Sequence, residues 1–241
     1  MASGPDRRFM TRTQAEAAQV DVGLRSYMLR VYNYMSLGVA LTGVIGLAVA
    51  SNPAAVQTVA SMFWVLFIGI IGLGFLAPRI MMSKSIGAAQ ACFWGYAGLW
   101  GALLGPMLFA YAQIDPMLVP RAFFITAATF AGLSLFGYTT KRDLGPMGAF
   151  LSMATIGILI ALLVNVFFVQ SAGFDLLLSV VVVLVFSALT AYETQQIKNM
   201  YLEADHGDVT TRKAIFGAFM LYGSFITLFV WILHLMGMMR D

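Results

Sequence analysis

The sequence predicts an all-α polytopic membrane protein, a bundle of seven transmembrane helices. Two observations carry that assignment. Of the 241 residues 60% are hydrophobic and only 10% charged, where an ordinary soluble domain carries about a quarter charged residues. That is too little charge to cover a soluble surface. Uncharged runs of about 20 residues also recur along the chain, each long enough to cross a hydrocarbon core of about 30 Å. They are too continuous for the alternating strands of a barrel.

Taken in chain order, residues 1–19 are polar and read as a disordered tail, and 20–241 form one membrane domain. The first 31 residues hold five arginines and no long apolar core, so no cleavable signal peptide is expected. Val20, Leu24, Met28 and Val31 then recur at helical spacing, with Asp21, Arg25 and Arg30 on other faces. The pattern fits either an amphipathic helix lying in the interface or a plain extension of the first span. Spans are expected at about 33–51, 57–77, 88–111, 119–138, 147–169, 176–197 and 214–236. An Asp115-Pro116 turn separates the third from the fourth, and TTKRDLGP the fourth from the fifth. No internal repeat is visible, which argues against an inverted-repeat transporter. Gly98, Gly101, Ala102 and Gly105 form a small-residue face in the third span, and Gly69 and Gly72 do something similar in the second. Such faces let helix backbones approach closely, which drives association in lipid.

Charge sets the expected orientation. The N-terminal region and the loops after the second, fourth and sixth spans hold twelve of the fourteen Lys and Arg residues; Arg121 and Arg240 lie on the other side. By the positive-inside rule the N-terminus is cytoplasmic. Seven full crossings put the C-terminus outside, whereas a re-entrant last segment would return it.

Little in the composition supports catalysis. The two histidines, His206 in a loop and His234 near the end of the last span, are far in sequence from the single cysteine, Cys92, so no zinc-ligand spacing occurs. There is no G-x-G-D motif, no Ser-His pair, no lysine within the last span for a Schiff base, and no P-loop or dinucleotide fingerprint. No enzymatic activity, cofactor or nucleic-acid partner is expected. What stands out is Glu193, an acid well inside the sixth span. An unpaired charge at mid-bilayer costs about 2.5–3.5 kcal/mol on insertion scales. Lys198 does not offset it, because i,i+5 is not a facing helical pair. Glu193 therefore either snorkels to the headgroups or faces the bundle interior as a proton-sensitive carboxyl. Thr194 and Gln195 beside it add oxygens suited to water or a hard cation. In the last span Tyr222, Ser224 and Thr227 form a second polar cluster. It reads either as helix-bonded hydroxyls or as one wall of a wet cavity facing Glu193.

Five stretches in fixed order carry a family resemblance: GLRSYMLRVYNYM at Gly23–Met35, LLGP at Leu103–Pro106, GYTTKRDL at Gly137–Leu144, AYETQQIK at Ala191–Lys198 and LYGSFITLF at Leu221–Phe229. The chain resembles the Bax inhibitor-1 (TMBIM) family, its bacterial branch in particular, from Gly23 to Gly237. The resemblance implies a bundle whose last helix is central, surrounded by the other six, in the inner membrane of a bacterium. It also implies a pH-sensitive calcium leak and suppression of cell death. In the family's leak scheme two aspartates on the last two helices share a proton and gate the path. The first falls in a YDTQ pattern, here Tyr192-Glu193-Thr194-Gln195; the second in LYLDF, here Leu221-Tyr222-Gly223-Ser224-Phe225. Glu193 is thus the matching carboxylate, and Ser224, which does not ionise, stands in place of the second. The family's latch arginine in the second helix has no counterpart within 57–77, because Arg79 follows Pro78.

Two functions follow as expectations. One is a pH-modulated calcium leak channel with Glu193 and Ser224 as ion pathway and pH sensor, supported by Tyr192, Thr194, Gln195, Tyr222 and Thr227. Calcium is then the transported ion, near Glu193, and no resident metal site is assigned. The other is a non-conducting regulator that binds a membrane protease or another membrane complex, suggested by the missing second carboxylate and the packed glycine faces.

Overall fold

The computed structural model describes residues 12–83, 85–205 and 207–239. The first helix, α1 (Arg12–Ala50), is continuous. Residues 20–31 therefore extend the first span instead of lying in the interface, and Met28 and Val31 are buried in the bundle. Helix also reaches back into the stretch assigned to the polar tail, where TQAEAAQ is rich in strong helix formers. Residues 1–11 of that tail lie outside the described residues.

The second expected span is displaced. A short helix α2 (Pro53–Ser61) opens on Asn52, whose side chain accepts from the amides of Ala54 and Ala55, with Pro53 in the first turn. The chain breaks at Met62 and restarts as α3 (Phe63–Ser83). The membrane-length stretch is thus Phe63–Met82 instead of 57–77. Pro78 and Arg79 fall inside this helix, not after it. Ser85 caps α4 (Ile86–Ile114) by accepting from the amide of Ala88. Asp115 ends that helix; its carboxylate accepts from the amide of Met117 and pairs with Arg121 at 3.3 Å. Next come α5 (Leu118–Thr139) and α6 (Met147–Val164). The latter widens into a π-helical turn, Asn165–Val169, that stops at Gln170 in the left-handed region (φ 47°). Ser171 caps α7 (Ala172–Asn199) through the amide of Phe174, and α8 (Gly207–Met238) completes the chain.

Among the described residues seven helices are long and apolar enough to cross a membrane. α8 is the central one: 61% of its most apolar stretch is buried, against 28% or less for every other span. It packs directly on α1, α3, α4, α5 and α7. The expectation that all six others surround it is too generous, because α6 packs on α7 and turns Phe150, Met153, Ile156 and Leu159 outward. A helix apolar on every side finds lipid as good a neighbour as protein.

α8 does not re-enter. Near its start Arg30 of α1 donates to Thr211, and near its end His234 meets Tyr111 of α4. The last helix runs the full height of the bundle, so the described chain begins and ends on opposite faces. The small-residue face of α4 does what its spacing predicts. A Cβ at Gly101 would meet Ile45 and the Thr42 carbonyl, and one at Gly105 would meet Val49, so α1 and α4 touch backbone to backbone there. Gly72 of α3 faces open space instead and is no packing site.

Candidate functional site

Glu193 lies on α7, about 9 Å from the helix end at 1.5 Å per residue, on the face turned to α8. It does not snorkel. Ser224, at mid-length of α8 and buried, donates its hydroxyl to Glu193 Oε2 at 2.6 Å. The wet cavity expected between these helices is replaced by a direct bond.

Two packing features bring α7 to this register. Gly137 of α5 lies against the backbone of Ala191, where a Cβ would overlap the Ala191 carbonyl. On the next turn Thr194 donates to the Thr190 carbonyl at 2.8 Å and lies 3.2 Å from Ser134 Oγ of α5. The Tyr32 side chain of α1 lies beside both Ser134 and Thr194. A band of hydroxyls from α1, α5 and α7 therefore stands next to the Glu193–Ser224 pair.

The remaining polar residues picked from the sequence have other partners. Gln195 is buried and clamps the α5–α6 loop: its Nε2 donates to the Arg142 carbonyl and its Oε1 accepts from the amide of Leu144, both at 2.8 Å. Tyr192 fits against Gly148 of α6. Tyr222 turns away toward α1. Thr42 donates its one proton to the Ala97 carbonyl at 2.9 Å, so the Tyr222 hydroxyl is the donor in its 2.7 Å contact with Thr42. Thr227 bonds back to the Gly223 carbonyl of its own helix. Lys198 reaches the Tyr138 carbonyl at 2.9 Å, as its poor spacing with Glu193 foretold. Gln195→Ala is expected to lower stability by about 2 kcal/mol, the sum of two lost buried bonds. Limited proteolysis would then speed up at residues 140–146, which an unclamped loop exposes.

A second polar cluster, at the far face, escaped the sequence reading. His234 Nε2 lies 2.8 Å from Asp175 Oδ2, its Nδ1 lies 2.8 Å from the Tyr111 hydroxyl, and Asn165 reaches Asp175 Oδ1 at 3.5 Å. His234 thus ties α8 to α7 and to α4. The signal was available. Asp175 opens one span and His234 closes the next, and antiparallel neighbours place such residues at one height. His206 lies outside the described residues. Among the described residues no group of three or more His, Cys, Asp or Glu could hold a metal ion. A groove of about 1270 Å³ runs between α1 and α5, lined by neither Glu193 nor Ser224.

Comparison with known proteins finds relatives along nearly the whole chain. A family model described as "Inhibitor of apoptosis-promoting Bax1" matches residues 24–241. An uncharacterized protein of Rickettsia prowazekii is 38% identical over 95% of this chain and 96% of its own. The inner membrane protein YbhL of Escherichia coli K12 is 36% identical over 92% of this chain and 95% of its own. An uncharacterized membrane protein of Streptococcus pyogenes is 31% identical over 91% and 95%.

Proposed function

The chain belongs to the Bax inhibitor-1 family, and from that premise we propose that it is a pH-modulated calcium leak channel gated between α7 and α8. The observation that carries this reading is the 2.6 Å bond from Ser224 to Glu193 Oε2, which joins the central helix to its neighbour inside the membrane. We place the protein in a bacterial inner membrane with its N-terminus in the cytoplasm. The relative in Escherichia coli, an inner membrane protein, supports the first point, and the Lys and Arg asymmetry supports the second.

The gate works through charge. Ionised Glu193 accepts from Ser224 and leaves its other oxygen lone pairs for a passing cation. Protonated Glu193 still bonds to Ser224, now able to donate, but no longer attracts the ion. Serine keeps the helices joined in both states while removing the like-charge coupling of a two-carboxylate gate. One carboxylate with hydroxyls is a poor calcium cage, which suits transit better than retention.

The test is calcium efflux from loaded liposomes across pH 6–8, comparing the protein with Glu193→Gln; an unchanged profile would sink the gating idea. Ser224→Asp supplies a second arm. Two carboxylates at this distance titrate as a coupled pair, so its efflux profile is expected to split into two steps where the parent shows one. A single unshifted step would mean that position 224 does not face the titrating group.

One observation favours the regulator reading, namely that the groove between α1 and α5 does not reach Glu193. Copurification in mild detergent separates the two: a lone monomer with robust flux in vesicles counts against a regulator.

A further inference from the structure

The groove between α1 and α5 has the polarity of an amphiphile. These two helices make no substantial packing contact, and α4 and α8 form the floor behind them with Leu104, Leu108, Phe225 and Phe229. Along α1 the groove runs from Arg25 to Ala50, about 37 Å at 1.5 Å per residue. Its polar groups collect at one end. Arg25 and Tyr138 stand at the mouth, with Tyr32, Ser36 and Ser134 just inside. Beyond them the lining is apolar except for Thr42, whose hydroxyl is taken up by the Ala97 carbonyl and Tyr222, and Val44, Leu47 and Phe124 on its rim are more than half exposed.

Charge at the mouth is positive. Arg25 is exposed and makes no hydrogen bond or ion pair among the described residues. The Lys198 ammonium lies 5.1 Å from the centre of the Tyr138 ring, adding a second cation beside the same opening. This end is also the face where most of the chain's Lys and Arg gather. Basic pockets between membrane helices on such a face suit anionic headgroups.

We propose that this groove binds an anionic phospholipid, its phosphate held at Arg25 and its acyl chains laid between α1 and α5 on the aromatic floor of α8. The site is independent of whether the protein conducts. It shares a wall with the candidate gate, since Ser134 and Tyr32 line the groove and the Ser134 hydroxyl lies 3.2 Å from that of Thr194. A bound lipid therefore touches the hydroxyl band next to Glu193.

The experiment takes the full chain from vesicles of equal parts phosphatidylglycerol and phosphatidylcholine and measures retained lipid by native mass spectrometry. The parent protein is expected to keep phosphatidylglycerol over phosphatidylcholine. Arg25→Gln is expected to lower phosphatidylglycerol retention about fivefold, the usual worth of one basic residue at an anionic surface, and Arg25→Lys to restore most of it. Gly43 lines the groove and a Cβ there would meet nothing within 4 Å, so Gly43→Phe fills the trough without disturbing the backbone. It is expected to reduce both lipids while the melting temperature holds. Equal retention of the two lipids by the parent, or equal phosphatidylglycerol retention by parent and Arg25→Gln, overturns the proposal. Should Gly43→Phe fail to fold, the Arg25 series still decides.

Discussion

Glu193→Gln is expected to flatten the pH dependence of calcium efflux and to hold the rate, at every pH from 6 to 8, at the level of the fully protonated parent. Glutamine keeps the length and branching of the side chain and can still accept from Ser224, so the helices stay in place. What disappears is the charge. A charge-assisted hydrogen bond contributes about 1.5–3 kcal/mol against roughly 1 kcal/mol for a neutral one. An ion that crosses without its carboxylate loses an interaction of similar size. Each 1.4 kcal/mol or so is tenfold in rate, so the alkaline efflux should fall by about an order of magnitude while the acid efflux changes little. A uniform fall at all pH values, with slope intact, would instead mean that Glu193 holds the bundle together and that another group titrates. Ser224→Ala separates these further. It leaves Glu193 Oε2 without its donor, and a loss of about 1–3 kcal/mol in stability is expected on that ground alone, read by thermal unfolding in detergent.

Gly137→Ala should be the most damaging single methyl in the bundle. The Cβ would fall on the carbonyl oxygen, carbonyl carbon and Cα of Ala191, all backbone, none able to rotate aside. α5 and α7 have to separate. Overpacking of this kind costs about 1–3 kcal/mol and sometimes more. Separation also pulls Thr194 from Ser134 and shifts Glu193, two residues from Ala191, away from Ser224. The variant is therefore expected to lose both melting temperature and the pH response of efflux. Gly72→Ala is the control: a Cβ there meets nothing within 4 Å, and removing a glycine from a helix interior stabilises it by up to about 1 kcal/mol. Equal behaviour of the two variants would show that close helix approach is not what holds α5 on α7.

The number of spans, their approximate ends and the short loops were legible because hydrocarbon punishes any polar residue within it, and a run of residues either avoids that cost or does not. The one displaced span shows the limit of that signal. Residues 53–61 are apolar enough to join the second span, but Pro53 behind an Asn52 cap starts a separate helix, and the break at Met62 moves the crossing toward Ser83. The small-residue face of α4 was also readable, since close approach requires small side chains whatever the partner.

Apart from the Glu193 and Ser224 positions that the resemblance paired, partners were not readable. Glu193, Thr194 and Gln195 are consecutive, yet they face α8, α5 and the α5–α6 loop in turn. Successive helical residues point about 100° apart. Which direction holds the central helix depends on how α7 is rotated, and in a bilayer the lipid-facing and protein-facing sides are equally apolar. Hydropathy thus fixed the topology of this chain. Only the tertiary structure decided that the Glu193 and Ser224 positions paired by the resemblance meet in a direct bond, that Gln195 serves a loop, and that α1 and α5 leave a groove between them, because each depends on helix rotation and a sequence of apolar faces does not encode it.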